Sequence, residues 1–344
     1  MASVVRSFGK HTERGVRQVF DLLRIFWQRK SVGRAFDSLV RPDESCFARS
    51  ATWSSLPVEA RSIIAEVRRL RSLVPRQKLP STCTASVVIP HYNHYQFLGE
   101  ALTGLALQTS LPEQVIVVDD GSDEPKRVES ICSKFTSSLN VQLLISQRRT
   151  FTGATRQVGA EAATSDVVIM HDADDISHPL RVEITRRFFE AHPRATQVNV
   201  GFRPFDQQSH IEPLRLSKSY LKHLSNTTSI LEETRRLFVA QRFSTPGQYG
   251  IRFGGFGCKE PFAVSGGHVS YPRYLVDVMR WSSPDSRVFT EYEDFEFNIL
   301  LCLTTLSSFQ INLPLVMYRQ KSSTNKVMWD SSASPGSISD TKQS

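Results

Sequence analysis

Three carboxylates, Asp172, Asp174 and Asp175, fall within four residues directly after the apolar run Val167–Met170. The run reads as a buried strand, so the acids sit at its C-terminal end. Like charges this close repel each other. They become favourable when a divalent cation sits among them, because hard cations prefer carboxylate oxygens. Ligands of α/β sheets bind at the carboxyl ends of strands, where these residues lie. The alternative for the same stretch is an acidic, solvated strand-to-helix loop, one aspartate capping the helix that begins near Pro179.

Other candidates stand further along the chain. A second buried strand, residues 114–118, ends in Asp119, Asp120 and Gly121, and Ser122 is placed to cap a helix near residues 125–135. Gly153 opens a helix where backbone amides favour an anion, and Arg156, one turn inside, could reach a phosphate or line a solvated face. Glu293 and Asp294 head an amphipathic helix, as a catalytic pair or as acids favoured by the helix dipole.

The elements that must position these groups alternate strand and helix. Residues 85–90, 114–118, 141–145, 167–170 and 197–201 read as strands, with helices over 97–108, 125–135, about 150–164 and 181–191 between them. Residues 313–318 make a last strand, ending in Tyr318, Arg319 and Lys321. This alternation specifies an α/β fold with a mostly parallel sheet flanked by helices. Residues 231–241 look helical, and residues 245–261 suggest glycine- and aromatic-rich loops.

Composition bounds the rest. The 344 residues suffice for one large α/β domain with appendages, or two modest ones. The net charge of +8 is concentrated at the start, because residues 1–80 hold 16 Lys+Arg against 7 Asp+Glu and the remainder is nearly balanced. That pattern argues against nucleic acid as a partner of the whole chain. Residues 12–30 read as a basic amphipathic helix suited to an anionic membrane interface, to the body of the domain or to a partner. Glu13 and Asp21 count against a targeting peptide, and no secretory signal is evident. A second helix over 57–73 precedes a linker at 75–84, placing a domain boundary near residue 80. Residues 329–344 are Ser-rich and read as a disordered tail. No apolar run reaches the roughly 20 residues of a membrane-spanning helix. The five scattered cysteines fit reduced thiols, no zinc site and a cytoplasmic location, with peripheral membrane contact through the basic helix. Asn226-Thr-Thr228 fits a glycosylation pattern that nothing else supports.

Taken together, residues 85–325 resemble family 2 glycosyltransferases of the GT-A fold. The resemblance is carried by Val87-Val-Ile-Pro90-His-Tyr92-Asn93, Val117-Val-Asp119-Asp120-Gly121-Ser122, Gly153 to Arg156, Asp172-Ala-Asp174-Asp175, Gly266-Gly267, Glu293-Asp294 and Tyr318-Arg319, in the family's order. It implies a GT-A domain over 81–328 with an N-terminal helical extension, and inverting transfer from a nucleotide-diphosphate sugar, with UDP-sugars foremost. The acceptor would be a hydroxyl of a glycan or lipid-linked molecule. By the same resemblance Pro90 and Tyr92 form the turn that stacks on the base, Asp120 accepts a base N–H, and Arg156 approaches the diphosphate. Asp172 binds ribose, and Asp174, with Asp172 and Asp175, holds Mn²⁺ or Mg²⁺. Asp294, with Glu293 raising its pKa, is the general base, and Gly266, Gly267 and His268 line the acceptor side. Many members carry a His shortly after the Tyr-Arg of the last strand. Here Arg319-Gln320-Lys321 stands, which implies fewer metal ligands or direct neutralisation of the diphosphate by Arg319 and Lys321. A non-catalytic nucleotide-sugar-binding protein on the same fold is the competing reading. A dinucleotide oxidoreductase is disfavoured, since no Gly-x-Gly-x-x-Gly follows the first strand.

Overall fold

The computed structural model describes residues 58–206, 266–283, 293–305 and 308–320. Lys321, the amphipathic segment 12–30, the expected helix at 231–241, the loops at 245–261, Asn226 and the 329–344 tail lie outside them. The elements in chain order are α1 (Val58–Leu73), β1 (Ala85–His91), α2 (Tyr95–Ala106), β2 (Gln114–Asp119), α3 (Pro125–Ser133), β3 (Val141–Ile145) and α4 (Phe151–Ala162). They continue with β4 (Val167–Met170), β5 (Ile176–Ser177), α5 (Arg181–Ala191), β6 (Gln197–Asp206), β7 (Val269–Pro272), α6 (Glu293–Thr305) and β8 (Ser308–Gln320).

The eight strands form one sheet in the order β3-β2-β1-β4-β7-β6-β8-β5. β1, β2 and β4 are buried along their whole length, as central parallel strands covered on both faces must be. Their alternating side chains feed two cores. Val87, Ile89, Val115 and Val117 meet Leu98, Leu102 and Leu105 of α2 and Phe188 and Phe189 of α5 on one face. Val88, Ile116, Val118 and Met170 meet Ala160 of α4 and Leu300 and Leu301 of α6 on the other. Each such buried large aliphatic contributes about 1.5–3 kcal/mol. Val67 and Leu70 of α1 belong to this second core, and the Leu79 N–H donates to the Pro193 carbonyl at 2.8 Å. The helix before the expected boundary at residue 80 is therefore packed into the same core, against α6.

Four of the seven strand pairings are parallel, β1–β2, β1–β4, β2–β3 and β6–β8. The antiparallel ones decide where the site lies. β7 runs against β4, with Ile169 opposite Ser270, so the turn entering β7 arrives at the C-terminal end of β4. β5 runs against β8, with Ile176 opposite Met317, which brings Tyr318 and Arg319 beside Asp174 and Asp175. Neither β7 nor β5 was legible as a strand. Both are short, and a four-residue or two-residue strand has too few residues to show a period.

Candidate active site

The parallel register aligns the ends of β1 and β2, with His91 opposite Asp119. The His171 N–H donates to the Val88 carbonyl at 2.9 Å, which starts the acidic turn beside the same edge. Within that turn the Asp175 N–H donates to the Asp172 carbonyl at 3.2 Å.

Asp172 lies at the centre. Its Oδ1 accepts a 2.8 Å bond from Nη2 of Arg156, while Nη1 of the same guanidinium donates to Oε1 of Glu293 at 2.8 Å. One buried arginine thus joins the end of β4 to the head of α6, 121 residues further on. Burial works against the Arg156 charge, but the carboxylates of Asp172, Glu293 and Asp294 more than offset it, and its pKa is raised. Burial likewise pushes the Asp172 carboxyl up, and Arg156 beside it brings it below the usual carboxylate range. Asp294 acts on the same field, since burial first and then the charges of Asp175, Asp172, Asp174 and Asp294 raise the Tyr318 phenol. The carboxylates from distant parts of the chain therefore meet.

Gly267 explains its own identity. A Cβ there would lie 2.5 Å from Asp172 Oδ2 and 2.9 Å from the Asp172 backbone nitrogen, so any side chain would displace the carboxylate. The Gly266–His268 turn is held from behind by Arg181 of α5. Its Nη2 donates to the Gly267 carbonyl at 2.7 Å and to the Met170 carbonyl at 2.5 Å. Nη1 donates to Nδ1 of His171 at 2.9 Å, which fixes that ring as an acceptor, and burial together with the Arg181 charge holds the His171 pKa well down. His268 is buried, with Nε2 3.5 Å from Asp175 Oδ2, and burial pulls its pKa to about 3.

Several expected donor contacts have other partners. Both oxygens of Asp120 are engaged by the start of α4: Oδ1 accepts from Thr150 N–H and Oγ1, each at 2.6 Å, and Oδ2 from Phe151 N–H at 2.8 Å. Tyr92 lies beneath the Arg149 guanidinium, 4.2 Å from its ring centroid, while Pro90 is buried in β1 opposite Val118. Arg319 is tied to the backbone of the acidic turn and to α2. Its Nη2 pairs with Glu100 of α2, its Nε donates to the Asp174 carbonyl at 2.8 Å, and its guanidinium covers Phe97 at 4.2 Å. Two sequence expectations are corrected. Ser122 does not cap α3, whose first turn lacks a side-chain cap; its hydroxyl donates to Asp119 Oδ1 at 2.5 Å and accepts from Asn93 N–H at 2.9 Å. At the start of α4 the anion is the protein's own, because the Thr150 and Phe151 amides donate to the Asp120 carboxylate, and the close approach at Gly153 is made by the Ser282 carbonyl and Glu293 Cβ.

For a metal, the donor set is partly committed. Among the described residues no group of three or more His, Cys, Asp or Glu side chains forms a ready cage. Asp172 is bonded to Arg156, and Asp175 Oδ1 accepts from Arg319 N–H at 2.9 Å while Oδ2 has no hydrogen-bond partner. Burial and the charges of Asp174 and Asp172 raise the Asp175 carboxyl well above its ordinary value. Asp174 keeps part of its side chain at the surface, with Oδ2 3.9 Å from Nδ1 of His94. This fits a cation of the Mg²⁺ kind, which takes one or two carboxylates and fills its remaining positions with phosphate oxygens and water.

Sequence reasoning missed Arg181, His171, Glu100, Arg149 and Trp281. Arg181 and Glu100 look like ordinary charged helix residues, and no local pattern marks them. Arg149 carried a signal in its position between the Asp120 turn and Gly153.

Residues 86–256 match the model described as glycosyl transferase family 2. The chain is 37% identical over 94 residues to the amylovoran biosynthesis glycosyltransferase AmsB of Erwinia amylovora, covering 27% of this chain and 31% of that protein. It is 35% identical over 100 residues to the chondroitin synthase of Escherichia coli, covering 28% and 14%. The matched part spans less than half the length of each of these curated relatives. Among solved structures, S. aureus TarS 1-349 in complex with UDP aligns at a TM-score of 0.48 and 16% identity, covering 69% of this chain and 61% of that one. With that family model matched across the acidic turn and its flanking strands, the chain belongs to glycosyl transferase family 2.

Proposed function

We propose that the protein transfers a sugar from a nucleotide-diphosphate sugar, UDP-sugars being the first to test, to a hydroxyl of a glycan or lipid-linked acceptor. The observation that carries this is the bridge from Asp172 through Arg156 to Glu293, which sets two groups of carboxylates around one guanidinium. Asp294 is the general base. It takes the proton of the acceptor hydroxyl, whose oxygen attacks the anomeric carbon opposite the departing nucleotide diphosphate and inverts that centre. Asp172 orients the donor ribose, and the Gly266–Gly267 turn borders the acceptor, with His268 buried behind it. Asp174 holds Mn²⁺ or Mg²⁺, which when bound stabilises negative charge on the departing diphosphate. Membership of the family and the amylovoran biosynthesis role in the name of the AmsB relative support this reading.

Incubation of the pure protein with UDP- and GDP-sugars, divalent metal and an acceptor panel should release nucleotide. Asp294→Asn should cut turnover by about 10²–10⁴-fold while calorimetry still shows donor binding. Tight donor binding with no release from the unaltered protein would instead favour the non-catalytic reading. Peripheral attachment through residues 12–30 is tested by co-sedimentation with anionic liposomes against a chain beginning just before Val58. That start point matters because Val67 and Leu70 are core residues. Equal sedimentation of the two would dispose of the attachment.

A further inference from the structure

We propose that Arg156 is a positioning residue that sets the general-base helix against the donor side, rather than a ligand of the diphosphate; this rests on the transferase reading above. Each terminal nitrogen of its guanidinium already faces a carboxylate, Nη2 donating to Asp172 and Nη1 to Glu293 at 2.8 Å each, and Nε is buried without a hydrogen-bond partner. The residue is 4% exposed, and Trp281 lies against it with its ring centroid 5.0 Å from the guanidinium carbon. A phosphate would have to displace two carboxylates and enter a closed space. Arginine suits the bridging task because its planar fork reaches two acids in fixed directions, which a lysine ammonium does not.

The surroundings of Arg156 are built as a junction. Trp281 stacks on Phe297 of α6 at 3.9 Å and 4°, and its indole N–H donates to the Tyr271 hydroxyl of β7 at 2.9 Å. The Trp281 backbone N–H donates to Oε1 of Gln157, one residue after Arg156 on α4, at 2.9 Å. Gly153, one turn earlier on α4, presses on the Ser282 carbonyl and Glu293 Cβ. Helix α4, the segment 281–283, β7 and the head of α6 thus converge on one guanidinium. Asp294 follows Glu293 directly, so the register of this contact fixes where the base stands relative to Asp172.

A base displaced by about 1 Å costs roughly 100-fold in rate without weakening substrate binding. Arg156→Met should therefore lower kcat at saturating donor about 100-fold, with the release of Asp172 adding a rise in donor Kd that saturation removes. Glu293→Gln, which leaves the Arg156–Asp172 bond in place, should show the same fall in kcat with the donor Kd, measured calorimetrically, moving less than about fivefold. Arg156→Lys should recover part of kcat, and the double variant should be little worse in kcat than either single one. Retained kcat at saturating donor with a tenfold or greater rise in donor Kd would overturn the proposal and make Arg156 a phosphate ligand. Thermal midpoints of the unaltered chain, Arg156→Met, Glu293→Gln and the double variant give an activity-independent reading. Non-additive shifts support the fastening, and additive shifts overturn it, even should the unaltered chain prove to transfer no sugar.

Discussion

Replacing Gly267 with alanine tests the tight approach of the β7 turn to Asp172. The added Cβ would lie 2.5 Å from Oδ2, 2.6 Å from Cγ and 2.9 Å from the backbone nitrogen of Asp172. Ordinary contact requires a shift of roughly 1 Å, and neither partner yields easily. The carboxylate is bonded to Arg156, and the Gly267 carbonyl is bonded to Arg181. Overpacking of this kind costs about 1–3 kcal/mol. Taking about 2 kcal/mol, and 2–4 °C per kcal/mol for a domain of this size, the melting temperature should fall by roughly 6 °C. Donor affinity should fall with it, because Asp172 is the group that moves. Gly99→Ala is the control: it lies within α2 and nothing stands within 4 Å of the added carbon. Alanine there should raise stability by about 0.5–1 kcal/mol. Calorimetric melts of the three proteins read the outcome. A Gly267→Ala protein melting within about 1 °C of the parent, with unchanged donor binding, would refute the close-approach argument.

Arg181→Met removes the donor that serves the Met170 and Gly267 carbonyls and the His171 ring, leaving buried acceptors unpaired. A loss of about 4 kcal/mol is expected by urea denaturation, and a loss below about 1 kcal/mol would mean the network carries little. His178 gives the pH prediction, since burial holds its pKa at about 4 against the usual 6.5. Between those values the unfolded chain binds the extra proton and the folded one does not, so stability is full above pH 6.5 and is lost as pH falls toward 4. His178→Gln should flatten the slope of stability against pH by about 1.4 kcal/mol per unit in that window, and identical slopes would sink the assignment. For the cation, Asp174→Asn should raise the Mn²⁺ or Mg²⁺ concentration needed for half-maximal nucleotide release, read by metal titration; an unchanged midpoint would remove Asp174 from that role.

Sequence alone determined the α/β class, the central strands β1, β2 and β4, and the chain positions of the acidic groups. Those features are written in local pattern: Val87-Val-Ile and Val167-Val-Ile-Met are continuous apolar runs, and Asp172, Asp174 and Asp175 close such a run. Tertiary structure alone decided which partners these side chains meet. Asp120, expected to meet a base, is consumed in holding Thr150 and Phe151, and Arg319, expected to meet a diphosphate, is turned onto Glu100 and Phe97. Arg181 and Trp281 carry no mark in the sequence, yet they fix the Gly267 turn and the head of α6. Hydrophobic periodicity reports the burial of neighbours a few residues apart. The partner of a buried charge is chosen by strand order and crossing geometry, and the antiparallel entry of β7 and β8 brings residues more than 90 positions apart to the end of β4.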